Sequence, residues 1–504
     1  MRKSPNFSTR LKLPIFLLLL PGVIQAEVAF YVDPDFSGNP YGTAEAPFRW
    51  LDLSAWDAIN AALAGDSVRI YYSARQAGQD VNQASDRALN ILRTDLGQNQ
   101  ITFDGKSKYN SNDSAPSWSN YSGSRRFEIR AQYPVSTVNN AAPYTARNRW
   151  TLQGFSVIAS EGQPLYLGNA SNVLVQDNEF TALASVSHGP AVVVASPGGN
   201  FGSHIILRNN HVHHTYGEGI YVGGFYGEAP GFPGGDDLLI ENNKVHDVGF
   251  HGGEPDCIDI KDGWTNVTVK GNLLFMSGSG AGRDGVVTNS AALIEDNFIY
   301  NMGRDGITLD EHYSNYDGFW TGAVIRGNVV VRCGTNPGYS WGNGINLPGG
   351  GHSFGFIRPQ ILNNTVVNTA NSSPGNGRGI NISSNFNSTA DVRNNIVVDT
   401  DGIDFYSAAG KLGPHSNNLY HSPGGGVVAQ YGASTYTALT IAQLEPDSLS
   451  APPLFLNPNT PYSYSNFGLQ GDSPACGRDM GALPLSESCG ASPPSPPTGL
   501  RGSF

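Results

Sequence analysis

The amino-acid sequence predicts an all-β fold: a right-handed parallel β-helix closed at its N-terminal end by a capping helix. Three observations predict it: an internal repeat of 25 to 36 residues, an asparagine at the same place in every copy, and an unusual composition. Of 504 residues, 62 are glycine and only 14% are charged. Such a composition is typical of many tight turns between short strands and not of long helices.

Each copy of the repeat contains an alternating apolar strand, then the asparagine, then a second apolar pair. A further short strand follows in most copies, as in Gly219-Ile-Tyr-Val and Gly306-Ile-Thr-Leu. Propeller blades need four strands in ~40 residues, so these units are too short for a propeller. We therefore expect stacked parallel coils with inward Ile, Val and Leu and a ladder of asparagines at one corner. The ladder residues are Asn178, Asn210, Asn243, Asn272, Asn297, Asn328, Asn364 and Asn395.

The first 26 residues indicate a secretory signal peptide, so we expect a secreted protein, extracellular or periplasmic. Four basic residues precede an apolar core that is too short to span a membrane, and no later stretch is apolar enough. Loss of this segment takes the net charge from −12 to −16. A strongly acidic chain argues against nucleic acid as a partner. We expect a monomer in which Cys476 and Cys489 pair, whereas Cys257 and Cys333 cannot be assigned.

The rest of the chain is divided by its patterning. In the N-terminal part, Ser54 is expected to cap a helix over Ala55–Leu63 that covers the first coil. The predicted organisation is a signal peptide at 1–26, a cap with first coils at 27–149, β-helix repeats at 150–425, C-terminal coils or cap at 426–490, and a proline-rich tail at 491–504.

The stretch from Glu254 to Asp262 contains the candidate chemistry. A single lysine, Lys261, is surrounded by four carboxylates in this stretch, those of Glu254, Asp256, Asp259 and Asp262. Because side chains alternate along a strand, Asp259 and Lys261 are expected to face outward together.

Stacking of the coils predicts three outward columns with equivalent positions ~5 Å apart. The first contains Tyr221, Asp259, Val287, Thr308 and Asn346; the second Gly223, Lys261, Asn289, Asp310 and Pro348; the third, just before the strands, Glu218, Asp256, Asp284, Asp305 and Asn343. Carboxylates so close together repel one another unless a cation or hydrogen bonds intervene. Calcium, which takes six to eight oxygen ligands, is the expected cofactor.

This arrangement suits proton abstraction from an acidic sugar. A uronic acid polymer could place its carboxylate on the metal, and Lys261, its pKa lowered by desolvation, could remove the C5 proton as general base. Arg283 could hold the carboxylate or the developing enolate. The predicted metal ligands are Glu254, Asp256 and Asp259, and the predicted substrate-binding residues are Tyr221, Asn289, Asp310, His312 and Trp320.

The run Glu254-Pro-Asp256-Cys-Ile-Asp-Ile-Lys261 resembles the E-x-E-x(4)-K strand of the chondroitinase B and alginate lyase family, which has the pectin-lyase-like β-helix fold, and more distantly the pectate lyases. The resemblance implies a calcium-assisted polysaccharide lyase in which Glu254 and Asp256 bind the metal and Lys261 is the base. Two departures are visible. The second acid is aspartate and not glutamate, and the position of the family's arginine is Asn289, which leaves Arg283 nearby.

Other functions stay open. A glycoside hydrolase on the same fold could use two carboxylates from Asp256, Asp284, Asp305 and Asp310. A non-catalytic carbohydrate-binding β-helix and a C5-epimerase are further alternatives. Five histidines resemble a metal cluster, but two of them share a position with Phe275 and Tyr300 of later coils, so we expect a stacked column instead. These histidines are His211, His213, His214, His246 and His251.

Overall fold

The structure, a computed structural model, contains three long sheets that confirm the predicted parallel β-helix. It describes residues 27–32, 37–72, 89–91, 99–105, 127–131, 135–136, 147–159, 162–168, 170–182, 189–195, 202–223, 235–249, 255–278, 282–311, 319–336, 338–339, 342–350, 355–369, 377–423, 425–459 and 463–483. The predicted signal peptide and the proline-rich tail lie outside the described residues.

Each complete coil contributes one strand to each sheet, in the order first, second, third. The first sheet consists of Glu27–Val32, Ser67–Tyr72, Ile101–Asp104, Arg147–Gln153, Ala170–Gln176, Gly202–Arg208, Gly235–Glu241, Trp264–Lys270, Ala292–Glu295, Val324–Arg326, Gln360–Leu362, Ala390–Arg393 and Leu412–Ser416. The second sheet consists of Phe127–Ala131, Phe155–Ala159, Glu179–Ala182, His211–His213, Lys244–His246, Leu273–Phe275, Phe298–Tyr300, Val329–Val331, Thr365–Val367, Ile396–Val398 and Leu419–His421.

The third sheet consists of Leu89–Asn90, Val135–Ser136, Leu165–Gly168, Val192–Ala195, Ile220–Gly223, Ile258–Ile260, Val286–Thr288, Ile307–Leu309, Asn343–Leu347, Arg378–Ile382, Ile403–Ser407, Val427–Tyr431 and Ser434–Thr437. A small separate sheet pairs Phe319–Thr321 with Gly355–Ile357. Pairing within the three long sheets is parallel except for the last pair of the third sheet, which is antiparallel. The inward side chains of successive coils form one continuous apolar core.

The predicted asparagine ladder is present at the corner between the first and second sheets. In one rung, the backbone and side-chain amides of Asn272 both donate to Oδ1 of Asn297 at 2.9 Å. Asn297 in turn donates from Nδ2 to the carbonyl of Val269 at 3.0 Å. The residue before every ladder asparagine has a left-handed φ between 53° and 66°, which explains why Asp, Asn or Gly stands there. The ladder continues one rung beyond the prediction, to Asn418.

The N-terminal helix exists but its cap differs from the prediction. The helix spans Leu53–Leu63, and Trp56 on its buried face packs against Phe103 of the first sheet. Asp52, and not Ser54, is the N-cap, because its carboxylate accepts from the Ala55 amide at 2.9 Å. Ser54 instead donates its hydroxyl to the Asp52 carboxylate at 2.7 Å. In the described part of the chain no helix is long and apolar enough to cross a bilayer.

After the last strand the chain folds back over the molecule. The segment 449–483, here called the C-terminal segment, contains the 3-10 turn Tyr464–Phe467 and follows the 3-10 turn Ile441–Gln443. It covers the outer face of the second sheet with its own apolar side chains, forming a second core there. Cys476 in this segment is disulfide-bonded, and Cys489 lies outside the described residues. Cys257 and Cys333 are buried and free.

Candidate active site

The first predicted column lies on the outer side of the third sheet as expected. Tyr221 stands opposite Asp259, and Asp259 opposite Val287. The column continues through Thr308 to Asn346. Because the coils are parallel, equivalent positions in successive strands of the third sheet face the same way. The register therefore assembles residues from separate repeats into one polar strip.

Lys261 follows directly after its strand and forms an ion pair with Asp259. Its Nζ lies 2.6 Å from Oδ2 of Asp259 and 5.7 Å from the centre of the Tyr221 ring. The lysine side chain is 17% exposed, whereas that of Asp259 is 0% exposed. The lysine side chain is therefore partly exposed, while the carboxylate that neutralises it is closed from solvent.

Burial disfavours the charged form of Lys261, but the charge of Asp259 and the hydrogen bond to it outweigh burial. The net result is that the pKa of Lys261 is raised above its usual value. The expectation that desolvation lowers this pKa is therefore wrong in direction. A buried ion-pair partner changes the sign, because it stabilises the charged form more than the lost water destabilises it.

Space for Lys261 comes from a glycine one coil earlier. A Cβ atom on Gly223 would lie 2.7 Å from Cβ and Cγ of Lys261, so a larger residue there would push the lysine out of position. The backbone of Lys261 is also held, since Ser290 donates its hydroxyl to the Lys261 carbonyl at 2.8 Å. These two positioning contacts come from neighbouring coils and are invisible in the local sequence.

The third predicted column contains three stacked carboxylates, here called the acid row: Asp256, Asp284 and Asp305. Each accepts from the backbone amide of the next coil, at 2.9 Å between the first and second and at 2.9 Å between the second and third. The last accepts from the amide of Asn343 at 2.7 Å. None is more than 3% exposed. The acid row is thus a second ladder that repeats the bonding of the asparagines.

Arg304 partly neutralises the acid row. Nε of Arg304 donates to Oδ1 of Asp284 at 2.8 Å and lies 3.4 Å from Oδ2 of Asp305. Burial, followed by the charge of Asp284, still raises the pKa of Asp305 to about 6, and the same two causes raise that of Asp256. Sequence reasoning missed Arg304, although it directly precedes a member of the acid row.

The described residues do not complete a calcium site beside Lys261. Glu254 lies outside the described residues, Asp256 already accepts an amide hydrogen, and Asp259 is paired with Lys261. Calcium requires six to eight oxygen ligands. Within the described ranges, the group of three or more His, Cys, Asp or Glu side chains that could hold an ion lies elsewhere, on the second sheet. Calcium binding therefore stays a prediction that depends on Glu254.

The other predicted site residues are divided between two ends of the strand. Asn289 follows the next strand beside Lys261, and its Nδ2 donates to the carbonyl of Asp310 at 2.8 Å. Arg283 instead lies where the strand begins, with its amide bonded to the Pro255 carbonyl at 3.0 Å. Two further predictions, His312 and the Trp320 side chain, fall outside the described part. The structure thus gathers Lys261, Asp259, Tyr221, Asn289 and Asp310, and leaves Arg283 near the acid row.

Comparison with family models supports the architecture. A family model described as the right handed beta helix region matches residues 199–375. Similar solved structures include pectate lyase Pel9A, with 14% identity, coverage of 74% of this chain and 80% of that chain, and a TM-score of 0.38. XylC in complex with xylose has 11% identity, coverage of 86% and 88%, and a TM-score of 0.47.

A third similar structure is a mutant tailspike protein of E. coli bacteriophage HK620 in complex with a pentasaccharide. It has 12% identity, coverage of 80% of this chain and 75% of that chain, and a TM-score of 0.31. No curated protein matches the sequence. Together with the three parallel sheets, the family-model match identifies the chain as a right-handed parallel β-helix.

Proposed function

We propose that this protein is a carbohydrate-active enzyme, a secreted polysaccharide lyase that cleaves an acidic, uronic-acid-containing polysaccharide by β-elimination. The observation that carries the proposal is the placement of Lys261. Its side chain is partly exposed on the outer face of a parallel sheet, with the Tyr221 ring on one side and Asn289 one coil further.

The chemistry needs a base, and Lys261 is the candidate. In β-elimination the neutral amine takes the C5 proton of the uronate, the electron pair of that C–H bond forms a C4=C5 double bond, and the C4–O bond breaks. The released oxygen leaves with the neighbouring sugar and takes a proton from water. Asp259 holds Lys261 protonated at rest, so the reactive neutral fraction grows as the pH rises. We therefore expect an alkaline pH optimum, since a general base acts only in its deprotonated form.

Calcium is the proposed cofactor, held by Glu254 together with Oδ2 of Asp256, because Oδ1 of Asp256 already accepts the Asp284 amide hydrogen. When bound, it would neutralise the uronate carboxylate and acidify the C5 proton. Asp259 remains the partner of Lys261 in this proposal. The Asp259 carboxylate is 0% exposed, so a metal ion would have little access to it, although the sequence predicts Asp259 as a ligand.

The closed acid row disfavours a glycoside hydrolase. Inverting and retaining hydrolases both need two carboxyl groups that reach the glycosidic bond. Asp256, Asp284 and Asp305 are almost fully buried and are bonded to the backbone of the following coil. A C5-epimerase would be distinguished from the lyase by its product. A non-catalytic carbohydrate-binding protein would be distinguished by the absence of any product.

The test is to incubate the protein with alginate, pectate and glycosaminoglycans, with and without calcium, and to follow ultraviolet absorbance of the unsaturated ends. Lys261→Ala should lower the rate about 10²–10⁴-fold, the usual contribution of a general base. Lys270→Ala is the matched control, because Lys270 is a 45% exposed lysine paired with Glu295 on the first sheet, and it should keep full activity.

Each alternative has its own outcome. Saturated reducing ends without absorbance would show a hydrolase, inversion at C5 without cleavage would show an epimerase, and binding without any product would show a carbohydrate-binding protein. If the Lys261→Ala variant catalyses elimination at the wild-type rate, Lys261 is not the base. If chelation leaves the activity unchanged, calcium is not the cofactor.

A further inference from the structure

A cluster of histidines lies on the outer face of the second sheet, away from Lys261. Glu179 and His211 stand opposite one another in adjacent strands, and His213 lies two residues further on the same face. His246 stands opposite His213 in the next strand. These four residues, here called the histidine cluster, come from three successive coils. In later coils the same positions are apolar and covered by the C-terminal segment.

Three residues of the histidine cluster have donor atoms close enough to share one ion, and His246 contacts one of the three. One ligand atom each from Glu179, His211 and His213 lie within 4.8 Å of one another. Nε2 of His213 is 3.0 Å from Oε1 of Glu179, and Nε2 of His211 is 2.6 Å from Nε2 of His246. Donor atoms bound at 2.0–2.1 Å to a tetrahedral zinc are separated by about 3.3 Å. Small rotations of these side chains would therefore reach metal-binding geometry.

A carboxylate behind His246 orients its ring as in metal sites. Oδ2 of Asp247 lies 2.7 Å from Nδ1 of His246. Asp247 is itself fixed, since the amide and the hydroxyl of Ser277 both donate to it at 2.7 Å. A carboxylate on Nδ1 holds the hydrogen there and leaves the lone pair of Nε2 directed at His211. This carboxylate–histidine pairing is the usual second layer around a bound zinc.

Stacking alone does not account for the cluster. The rings of His213 and His246 are stacked at 5.4 Å, and His246 stacks on Phe275 at 4.6 Å. The predicted stacked column is therefore present. Phenylalanine would serve equally well in such a column, as Phe275 does. What stacking leaves unexplained is the convergence of imidazole nitrogens on one another and on the Glu179 carboxylate.

We propose that Glu179, His211, His213 and His246 bind one divalent transition-metal ion, with Zn²⁺ as the best fit. Imidazole ligands suit zinc, copper or nickel, whereas calcium prefers an all-oxygen site. The site is independent of the proposed lyase chemistry. Because its ligands come from three coils, the ion clamps the N-terminal part of the second sheet and stabilises the fold by mass action.

The test uses the full-length protein stripped of metal and kept in millimolar calcium, which does not compete for imidazole. Titration with Zn²⁺ by calorimetry should give one equivalent per chain, and Co²⁺ should give the visible bands of a tetrahedral site. Zinc should also raise the melting temperature. Less than one equivalent bound by folded protein would overturn the proposal.

Variants separate binding from packing. His246→Phe and His213→Phe keep the ring stack but remove nitrogen donors, and each should weaken zinc binding at least about tenfold. His204→Ala removes a histidine that is 61% exposed and pairs with Asp237 outside the cluster, and it should bind zinc like the wild type. Equal affinity in all three variants would contradict the assigned ligands.

Discussion

At the scale of single residues, Asp259 decides the charge of the candidate base. Its carboxylate is fully closed from solvent and lies 2.6 Å from Nζ of Lys261, so the ammonium group exchanges part of its hydration for a close opposite charge. Removal of either member of such a pair destabilises the protein, because it leaves the other charge buried without compensation. The same contact that fixes the geometry of Lys261 thus also delays its deprotonation.

Asp259→Asn should move the pH dependence of activity toward lower pH. Removal of the negative charge leaves burial as the main influence, so the pKa of Lys261 falls and more amine is neutral at a given pH. The limb of kcat/KM that rises with pH, on the acid side of the optimum, should move down by about 1–3 pH units, the range for a close opposite charge. The measurement is a pH–rate profile on the polysaccharide that the wild type cleaves.

A remote substitution of the same charge type controls for changes in net charge. Asp236→Asn alters a first-sheet carboxylate bonded to Thr265 and Asn266, and it should leave the profile in place. If Asp259→Asn also leaves it in place, Lys261 is not the group whose titration limits the rate.

At the scale of elements, the asparagine ladder fixes the register of the coils. Each rung supplies acceptor and donor groups to buried main-chain atoms that have no water nearby. Asn297 connects Asn272 on one side with Asn328 on the other. Loss of one rung therefore affects two coils at once.

Asn297→Ala should destabilise the protein by about 2–5 kcal/mol, because the amides of Asn272 lose their acceptor and a buried group without a partner costs about 1–3 kcal/mol. Chemical denaturation followed by circular dichroism gives the change in free energy of unfolding. Asn457→Ala is the control at an exposed asparagine and should change stability by less than about 0.5 kcal/mol. Equal free energies of unfolding for the two variants would contradict a stabilising role of the ladder hydrogen bonds.

At the scale of the whole molecule, the C-terminal segment closes an otherwise apolar face. Its chain bonds directly to the coils: the Gly481 amide donates to the Asn394 carbonyl at 2.8 Å, and the Tyr464 hydroxyl to that of Gly327 at 2.8 Å. Phe467 packs against Phe298 with ring centres 6.2 Å apart. The segment therefore acts as an external strap over the second sheet.

Phe467→Ala should release this strap before the coils unfold. Truncation of a buried aromatic side chain costs about 3–5 kcal/mol. We expect this loss to exceed the free energy that holds the C-terminal segment against the second sheet. Limited proteolysis should cut the C-terminal segment first, and hydrogen exchange should rise at Phe298–Tyr300 while the far-ultraviolet spectrum persists. Leu439→Ala, at a side chain that is 94% exposed, should behave like the wild type.

Much of the coil architecture could be predicted because parallel repeats place equal sequence positions side by side. The ladder asparagines and the outward column of Tyr221 and Asp259 follow from alignment of the repeats alone. The raised pKa of Lys261 could not be predicted in the same way, because its sign depends on whether Asp259 is closed from solvent. The position of Arg283 at the start of its strand is different, because its neighbour Asp284 belongs to the column that the repeats place just before the strands.

The sequence of the second sheet indicates that its outer face is covered, although a search for alternating strands does not detect this. Strands such as Leu273–Phe275 and Val329–Val331 are apolar at all three positions and buried at all three. A solenoid strand with one face in solvent should alternate instead. An unbroken apolar run in a coil thus indicates that another part of the chain lies over it, although it does not say which part.

The two ladders differ in how they tolerate the gain or loss of a repeat. A duplicated coil would insert an asparagine that meets the same neighbours above and below, so recombination between repeats leaves that corner intact. In the acid row, the guanidinium group of Arg304 pairs with both Asp284 and Asp305, and an extra coil inserted between these two aspartates would break that shared pairing. We expect relatives of this chain to differ in length mainly after Asn343, while the turns from Asp256 to Asp305 are inherited as a block.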